Sequence, residues 1–350
     1  MTSSRPAGPR LPTLEDVARS AGVSRATVSR VVNGTRNVDP EIQKVVQEAV
    51  EATGYIPNRA ARSLVTRRTD SVALVFSVPD HHAADDPFLG QVFSDPFFGR
   101  IVGGLLTVLR PRGVHPLLML ADSEKARRSL VPNLRQEHID GVVLVSIAPG
   151  DPLPSLLTEA GLPTVLFARP ATPIPISFVD VAQQAGAKLA AERLLARGCR
   201  RITTIAGPAD SPAGQDRLAG FREAMAEHGY AYVPSVEGSF TQEGGERAMK
   251  QLLSEQPDTD GVFVANDLMA QGALLVLRDH GRRVPDDVAV IGFDDSSAAL
   301  SSRPLLTTIR QPVEDMAAEM AKLLMALIDD PAQQTRSAIF KTTLIPRESA

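Results

Sequence analysis

The chain has 350 residues, 43% of them apolar, which is too long for one ordinary domain and fits two or three. No apolar run approaches the roughly 18 residues that a membrane span needs, so a membrane partner is not expected. Its formal net charge of −4 divides into 11 Lys and Arg against 6 Asp and Glu through Arg68, a net of +5, and 26 against 35 in the remainder, a net of −9. A basic head on an acidic body leaves only the head suited to a polyanion.

Residues 1–12 lack the apolar segment of an export signal and read as a flexible tail. From Thr13 to Asn33 the spacing predicts two short helices around a tight turn. Thr13 caps the first, with Asp16 three residues on as its capping-box partner. Val17, Ala18 and Ala21 form an apolar stripe, and Gly22 permits the turn. Ser24 caps the second helix, which turns Val28, Val31 and Val32 inward and leaves Arg25, Ala26, Ser29 and Arg30 outside.

That arrangement is a helix-turn-helix, whose second helix fits the major groove of double-stranded DNA. Arg25 and Arg30 are the candidates for reading guanine edges, and Ala26 is small enough to touch a thymine methyl. Ser24, Thr27 and Asn33 are placed for phosphate oxygens, which fix register without reading sequence. Asp39 and Pro40 then open a third helix with a stripe at Ile42, Val45, Val46, Ala49 and Val50, ended by Gly54.

Three linked motifs carry a resemblance. They are Thr13-Leu-Glu-Asp-Val-Ala18, Val23-Ser-Arg-Ala-Thr-Val-Ser-Arg-Val-Val-Asn33 and Gly54-Tyr-Ile-Pro-Asn-Arg-Ala-Ala-Arg-Ser-Leu64. Residues 13–64 resemble the headpiece of the LacI/GalR family of bacterial regulators. The resemblance implies operator contacts from Thr13, Leu14, Tyr55, Asn58 and Ala61, and a hinge helix at 57–65 that pairs with its dimer mate in the minor groove. It also implies that Leu64 is wedged between central base pairs and kinks the duplex. The headpiece is thus expected over 13–65.

From Ser71 onward, short apolar runs alternate with amphipathic helices. Val72–Val78, Leu117–Leu120, Gly141–Val145, Pro163–Phe167, Ile202–Ala206, Gly261–Ala265 and Val288–Phe293 read as buried parallel strands. Ala182–Arg197, Gln215–His228, Gly244–Glu255 and Asp267–His280 read as helices. Strict alternation argues for α/β architecture with doubly wound parallel sheets, in two subdomains with a cleft at the carboxyl ends of their strands. The single cysteine, Cys199, sits at a helix-to-strand turn as a small, partly buried residue and fits a reducing cytoplasm.

The resemblance extends over nearly all of residues 71–350, which look like a periplasmic-binding-protein-like effector core. The expected division is 71–178 plus 310–338 for one subdomain and 179–309 plus 339–347 for the other. By position, the resemblance implies apolar contacts to a ligand from Phe97 or Phe98 and from Phe240. It implies polar contacts from Arg169, Arg217, Asn266, Asp294 and Gln311. Such a set suits a polyol, with flat faces for C–H groups and charged forks for hydroxyls. The family's second acidic residue before the helix that opens the second subdomain is Ala182 here, and the chain has no Trp, both of which weaken a sugar assignment. A sugar or sugar derivative is the expected effector, with a nucleobase, another metabolite or no ligand as the alternatives.

His81-His-Ala-Ala-Asp-Asp86 holds metal-ligand types but reads as a solvated loop, and Pro170-Ala-Thr-Pro-Ile-Pro175 reads as a stiff connector. No phosphate-binding loop, nucleophile elbow or zinc-spaced Cys and His occurs, so no catalytic residue, cofactor or metal is expected. Asp294 and Asp295 read as ligand-binding carboxylates pointing opposite ways along an extended segment. The expected function is a cytoplasmic, nucleoid-associated regulator that binds a palindromic operator and answers to a small molecule. Repression is the default mode and activation the alternative. With no heptad repeat after the apolar run at 339–345, a homodimer is expected rather than a coiled-coil tetramer. A solute-binding protein would have no use for the headpiece, and an enzyme would need catalytic groups at strand ends.

Overall fold

The computed structural model describes residues 12–32, 38–55, 68–78, 95–146 and 150–350. Asn33, the hinge segment with Asn58, Ala61 and Leu64, and the His81–Asp86 stretch lie outside these residues. The chain divides between Thr69 and Asp70 into two units.

The first unit holds α1 (Leu14–Ala21), α2 (Arg25–Val32) and α3 (Pro40–Thr53). Helices of eight residues are too short to persist alone, so burial against one another stabilises them. Val17, Val28 and Val46 are fully buried at their meeting point, and Leu14, Ala18, Val31, Val50 and Tyr55 pack around them. The Asp16 carboxylate accepts from the Thr13 N–H at 2.9 Å and its hydroxyl at 2.7 Å, fixing the start of α1. Gly22 takes φ +65°, the left-handed conformation that strains other residues, and turns the chain into α2. The Ser24 hydroxyl accepts from the Thr27 N–H at 3.1 Å, and Asp39 caps α3 through the Glu41 N–H at 2.8 Å. The expected stripe on α3 is only partly buried: Ile42 and Val45 are 37% and 43% exposed. The two eight-residue helices that α3 packs on are too short to cover a stripe along all 14 of its residues.

The second unit contains two six-stranded sheets. The first is built from β1 (Ser71–Ser77), β2 (His115–Ala121), β3 (Gly141–Ser146), β4 (Thr164–Phe167), β5 (Ser177–Val181) and β11 (Ser337–Phe340). The second uses β6 (Ile202–Ala206), β7 (Ser235–Glu237), β8 (Gly261–Val264), β9 (Ala289–Asp294), β10 (Thr307–Arg310) and β12 (Thr343–Ile345). Their orders, β2-β1-β3-β4-β5-β11 and β7-β6-β8-β9-β10-β12, repeat one doubly wound pattern. All pairings are parallel except β12 against β10. Central strands such as β3, up to its last residue Ser146, and β8 are apolar because helices cover both faces.

The helices of the first half are α4 (Pro96–Leu109), α5 (Glu124–Gln136), α6 (Leu153–Glu159) and α12 (Val313–Asp329). Those of the second are α7 (Gln183–Ala196), α8 (Pro212–Glu227), α9 (Gln242–Glu255), α10 (Asp267–Asp279) and α11 (Ser297–Ser301). Helix α4 crosses α12 so closely that a Cβ on Gly104 would lie 2.3 Å from the Glu314 carbonyl oxygen. The chain passes to the second sheet after β5, returns after β10 and passes over again between β11 and β12. Residues 179–181 and Ile339–Phe340 therefore belong to the first sheet, two or three residues past the expected boundaries. One strand differs from expectation in environment: β2 is an edge strand, and Leu117 and Leu118 are 42% and 43% exposed.

Candidate functional site

Two surfaces collect the candidate residues, one in each unit. On the first, Ser24, Arg25, Ala26 and Arg30 are exposed at the start and along one side of α2, with Thr27 and Ser29 half-buried beside them. The Arg25 guanidinium meets the Glu15 carboxylate at 3.1 Å, both side chains remaining largely in solvent. The Thr13 hydroxyl is engaged by Asp16, and Leu14 and Tyr55 are half-buried against the helical core. These three therefore serve the packing of the headpiece, whatever they also touch.

The second surface is a cavity of about 480 Å³ at the carboxyl ends of both sheets, where doubly wound sheets place ligands. All eight candidate effector residues line it: Phe97, Phe98, Arg169, Arg217, Phe240, Asn266, Asp294 and Gln311. Phe98 belongs mainly to the core, 8% exposed and edge-on to Phe76 at 4.7 Å. Phe97 is the more open of the two and stands edge-on to Phe167 at 5.1 Å.

Arg217 occupies the floor. Its Nε donates to Gln183 Oε1 at 2.9 Å, its Nη1 to the Ala265 carbonyl at 2.6 Å, and Nη1 lies 3.5 Å from Asp294 Oδ1. The guanidinium covers the Phe293 ring at 3.8 Å. Asp294 Oδ1 also accepts from Gln311 Nε2 at 2.5 Å. Asn266 caps α10 through the Met269 N–H and donates to the Phe240 carbonyl, each at 3.0 Å. Arg169 reaches from the end of β4 to Asp216 on α8, with Nη2 and Nε at 2.8 and 3.1 Å from Oδ2.

Four non-glycine residues have left-handed backbones here: Ala168, Phe240, Asp294 and Asp295, with φ of 68°, 60°, 116° and 53°. Such conformations persist only where the surroundings over-determine them, and they cluster at binding sites. Asp294 and Asp295 do diverge, the latter to Arg310 and Arg347, but through this left-handed turn rather than along an extended segment.

Burial pushes the Asp294 carboxyl up to about 6; Arg217 opposes the rise and Asp95 adds to it. Burial likewise raises Asp95, against the bond it accepts from the Phe97 N–H. A carboxylate whose folded pKa is raised adds stability that is full below the unfolded value near 4 and lost as pH rises through the folded value. Asp294→Asn should therefore gain about 2 kcal/mol relative to the unsubstituted chain between pH 4 and pH 8. Urea unfolding at both pH values checks this, and a pH-independent difference would contradict it.

Several cleft residues escaped the sequence reading. Asp95 stands just before the expected contacts Phe97 and Phe98, but nothing local reveals its burial. Gln183 follows Ala182 and bridges Arg217 to Asp180, its Nε2 donating to Asp180 Oδ1 at 3.1 Å. The stretch expected to be a bare connector brings Pro170, Ala171, Thr172 and Ile174 to the cavity rim. No signal in the chain marks that role, because it depends on how the two sheets face each other.

Comparison with known proteins gives this geometry its context. Residues 13–58 match the model for bacterial regulatory proteins of the lacI family, and residues 167–350 match a periplasmic binding protein-like domain. The HTH-type transcriptional regulator CelR of Thermobifida fusca is 45% identical over 345 residues, covering 97% of this chain and 98% of that protein. The chain belongs to the LacI family. Among solved structures, a transcriptional regulator CelR–cellobiose complex aligns with a TM-score of 0.76 at 42% identity, covering 97% of this chain and 100% of that one. The lac repressor dimer bound to operator and the anti-inducer ONPF aligns with a TM-score of 0.80 at 26% identity, covering 97% and 99%. This LacI-family member is accordingly a DNA-binding transcription regulator with a helix-turn-helix head and an effector-binding core.

Proposed function

We propose that the protein is a repressor that binds a palindromic operator as a homodimer and is controlled by a sugar in the core cleft. The observation that carries the effector assignment is the cleft floor. Arg217, Asp294 and Gln311 offer a charged fork, a carboxylate and an amide in a cavity that the rings of Phe97 and Phe240 also line, the pairing a polyol needs. The relative solved with cellobiose favours a glucose disaccharide. At about 480 Å³ the cavity falls within the roughly 300–1,000 Å³ of small-molecule sites. The cleft acids serve as hydrogen-bond acceptors for hydroxyls in this reading, not as catalytic groups, and the protein is not an enzyme.

Pairing of two subunits is supported by β2, an edge strand among the described residues, on which Leu117 and Leu118 are exposed, as is Leu106 of α4. Two heads on a symmetric dimer require a symmetric site. Residues 13–65 form the DNA-binding segment of this reading, with a hinge at 57–65, and the site of action is the cytoplasm. Leu64→Ala is expected to weaken operator binding at least tenfold while leaving sugar affinity unchanged, as a wedge residue would. Operator titrations of the two proteins check it, and equal affinities would remove the wedge.

Thermal unfolding of the full chain with cellobiose, glucose and adenine tests the effector class. Cellobiose at about 100 times its Kd should raise Tm by on the order of 5 °C. Stabilisation by adenine alone would overturn the sugar assignment.

A further inference from the structure

Arg100 is absent from the sequence reading and from the set of residues facing the cavity, yet it touches the backbone on which the cleft is built. It projects from α4, in the half formed by the first sheet, and its side chain is only 18% exposed. Its Nε and Nη2 grip the Glu314 carboxylate at 2.7 and 2.8 Å. Its Nη1 donates to the Asp294 carbonyl at 3.0 Å and its Nη2 to the Gln311 carbonyl at 3.1 Å. Asp294 ends β9 in the second sheet, and Gln311 begins the segment that returns to the first. One guanidinium thus spans both halves, and its two carbonyl partners belong to the cleft residues whose side chains bond each other at 2.5 Å.

We infer that Arg100 is a positioning residue that pins the two halves of the core in register and holds the Asp294–Gln311 pair where a ligand meets it. Three observations converge on this. Asp294 has φ +116°, a conformation that needs external support, and Arg100 holds its carbonyl. A planar fork with five donors can serve a carboxylate and two carbonyls at once, which an ammonium cannot do with the same geometry. Among the described residues, the other side-chain ties between the halves are Gln183 to Asp180, beside the crossover from β5 to α7, and Arg169 to Asp216, where Arg169 is 44% exposed and therefore weaker. Of the two arginines that tie the halves, Arg100 is the less exposed, at 18%. A ligand drawing on Asp294 and Gln311 pulls on the same two carbonyls, so occupancy of the cleft and the angle between the halves share one support.

The test measures that angle without a ligand. Spin labels at Arg128→Cys on α5 and Lys250→Cys on α9 report the distance between halves in the full chain. Cys199 stays unlabelled because burial, chiefly, pushes its thiol up to about 11. Arg100→Met and Arg100→Lys should each displace the distance distribution or broaden it about twofold, whereas Glu314→Gln, which keeps both carbonyl bonds, should leave it in place. Superimposable distributions for all four proteins would overturn the inference. So would a change in Glu314→Gln as large as in Arg100→Met, since the effect would then belong to the contact between α4 and α12. If Arg100→Met does not fold, Arg100→Lys decides.

A second arm rests on the proposed sugar site. Cellobiose affinity should fall at least tenfold in Arg100→Lys. If the unsubstituted chain does not bind cellobiose, the effector reading fails, and the ligand-free distances still decide the role of Arg100.

Discussion

Arg217→Ala is expected to abolish the response to sugar while leaving operator binding in place. The guanidinium is 5% exposed and serves Gln183, the Ala265 carbonyl and Asp294 at once. Those bonds occupy Nε and Nη1, which leaves the Nη2 donors for ligand hydroxyls. Burial lowers its pKa, yet Asp294, Asp180 and Asp267 draw it back toward the charged form. Removing it strands a buried carboxylate and a carbonyl and exposes the Phe293 ring to a void. Breaking such a buried pair costs about 3–5 kcal/mol. The variant should therefore unfold at lower urea concentration and show no shift of operator affinity at any cellobiose concentration. The reading surface on α2 lies in the other unit and carries none of these contacts. A response with an unchanged midpoint would remove Arg217 from the effector site.

Replacing both Arg25 and Arg30 by Ala should reduce specific operator binding to the level of random duplex. Each arginine that reads a guanine edge contributes about 1–3 kcal/mol of discrimination, so the pair accounts for roughly 2–6 kcal/mol per head. The loss of preference should be largest at the base pairs these residues face, and the salt dependence of the residual binding should change little. Glu15, 3.1 Å from Arg25, orients one of the two forks in the free head. Competition titrations with operator and random DNA read the effect. Retained preference at every position would mean that other side chains read the bases.

The legible parts of the fold were those whose chemistry is local. Ile202–Ala206, whose first four residues are all β-branched, reads as a strand and forms β6 over that same span. Gly22 and Gly54, at φ +65° and +64°, end α1 and α3 where a left-handed residue is needed. Strand β5 was harder, since Asp180 interrupts its apolar pattern. The carboxylate is nonetheless 4% exposed, satisfied by the Arg169 and Val181 N–H groups and by Gln183. Strand β10 hides fully buried Thr307 and Thr308, whose hydroxyls donate to the Ala350 carbonyl and to Asp267. Helix α4, which is not among the expected helices, carries three internal glycines that lower helix propensity; its tight crossing with α12 explains Gly104.

The cleft followed the same division. Phe240, Asn266, Asp294 and Gln311 are positions that the resemblance marks as ligand contacts. Arg100, Asp95, Gln183, Asp216 and the 170–174 rim acquire their roles only when the two sheets are brought face to face. A side chain that binds main-chain carbonyls, as Arg100 does, leaves no pairing pattern in the sequence at all.

Selection of bound duplexes from a random DNA pool by the full-length protein, with and without cellobiose, tests the central claim most directly. The account predicts enrichment of one two-fold palindrome with a flexible pyrimidine–purine step at its centre, and a change in its recovery when the sugar is present. Recovery of no common sequence under either condition, at low and near-physiological salt alike, would contradict it.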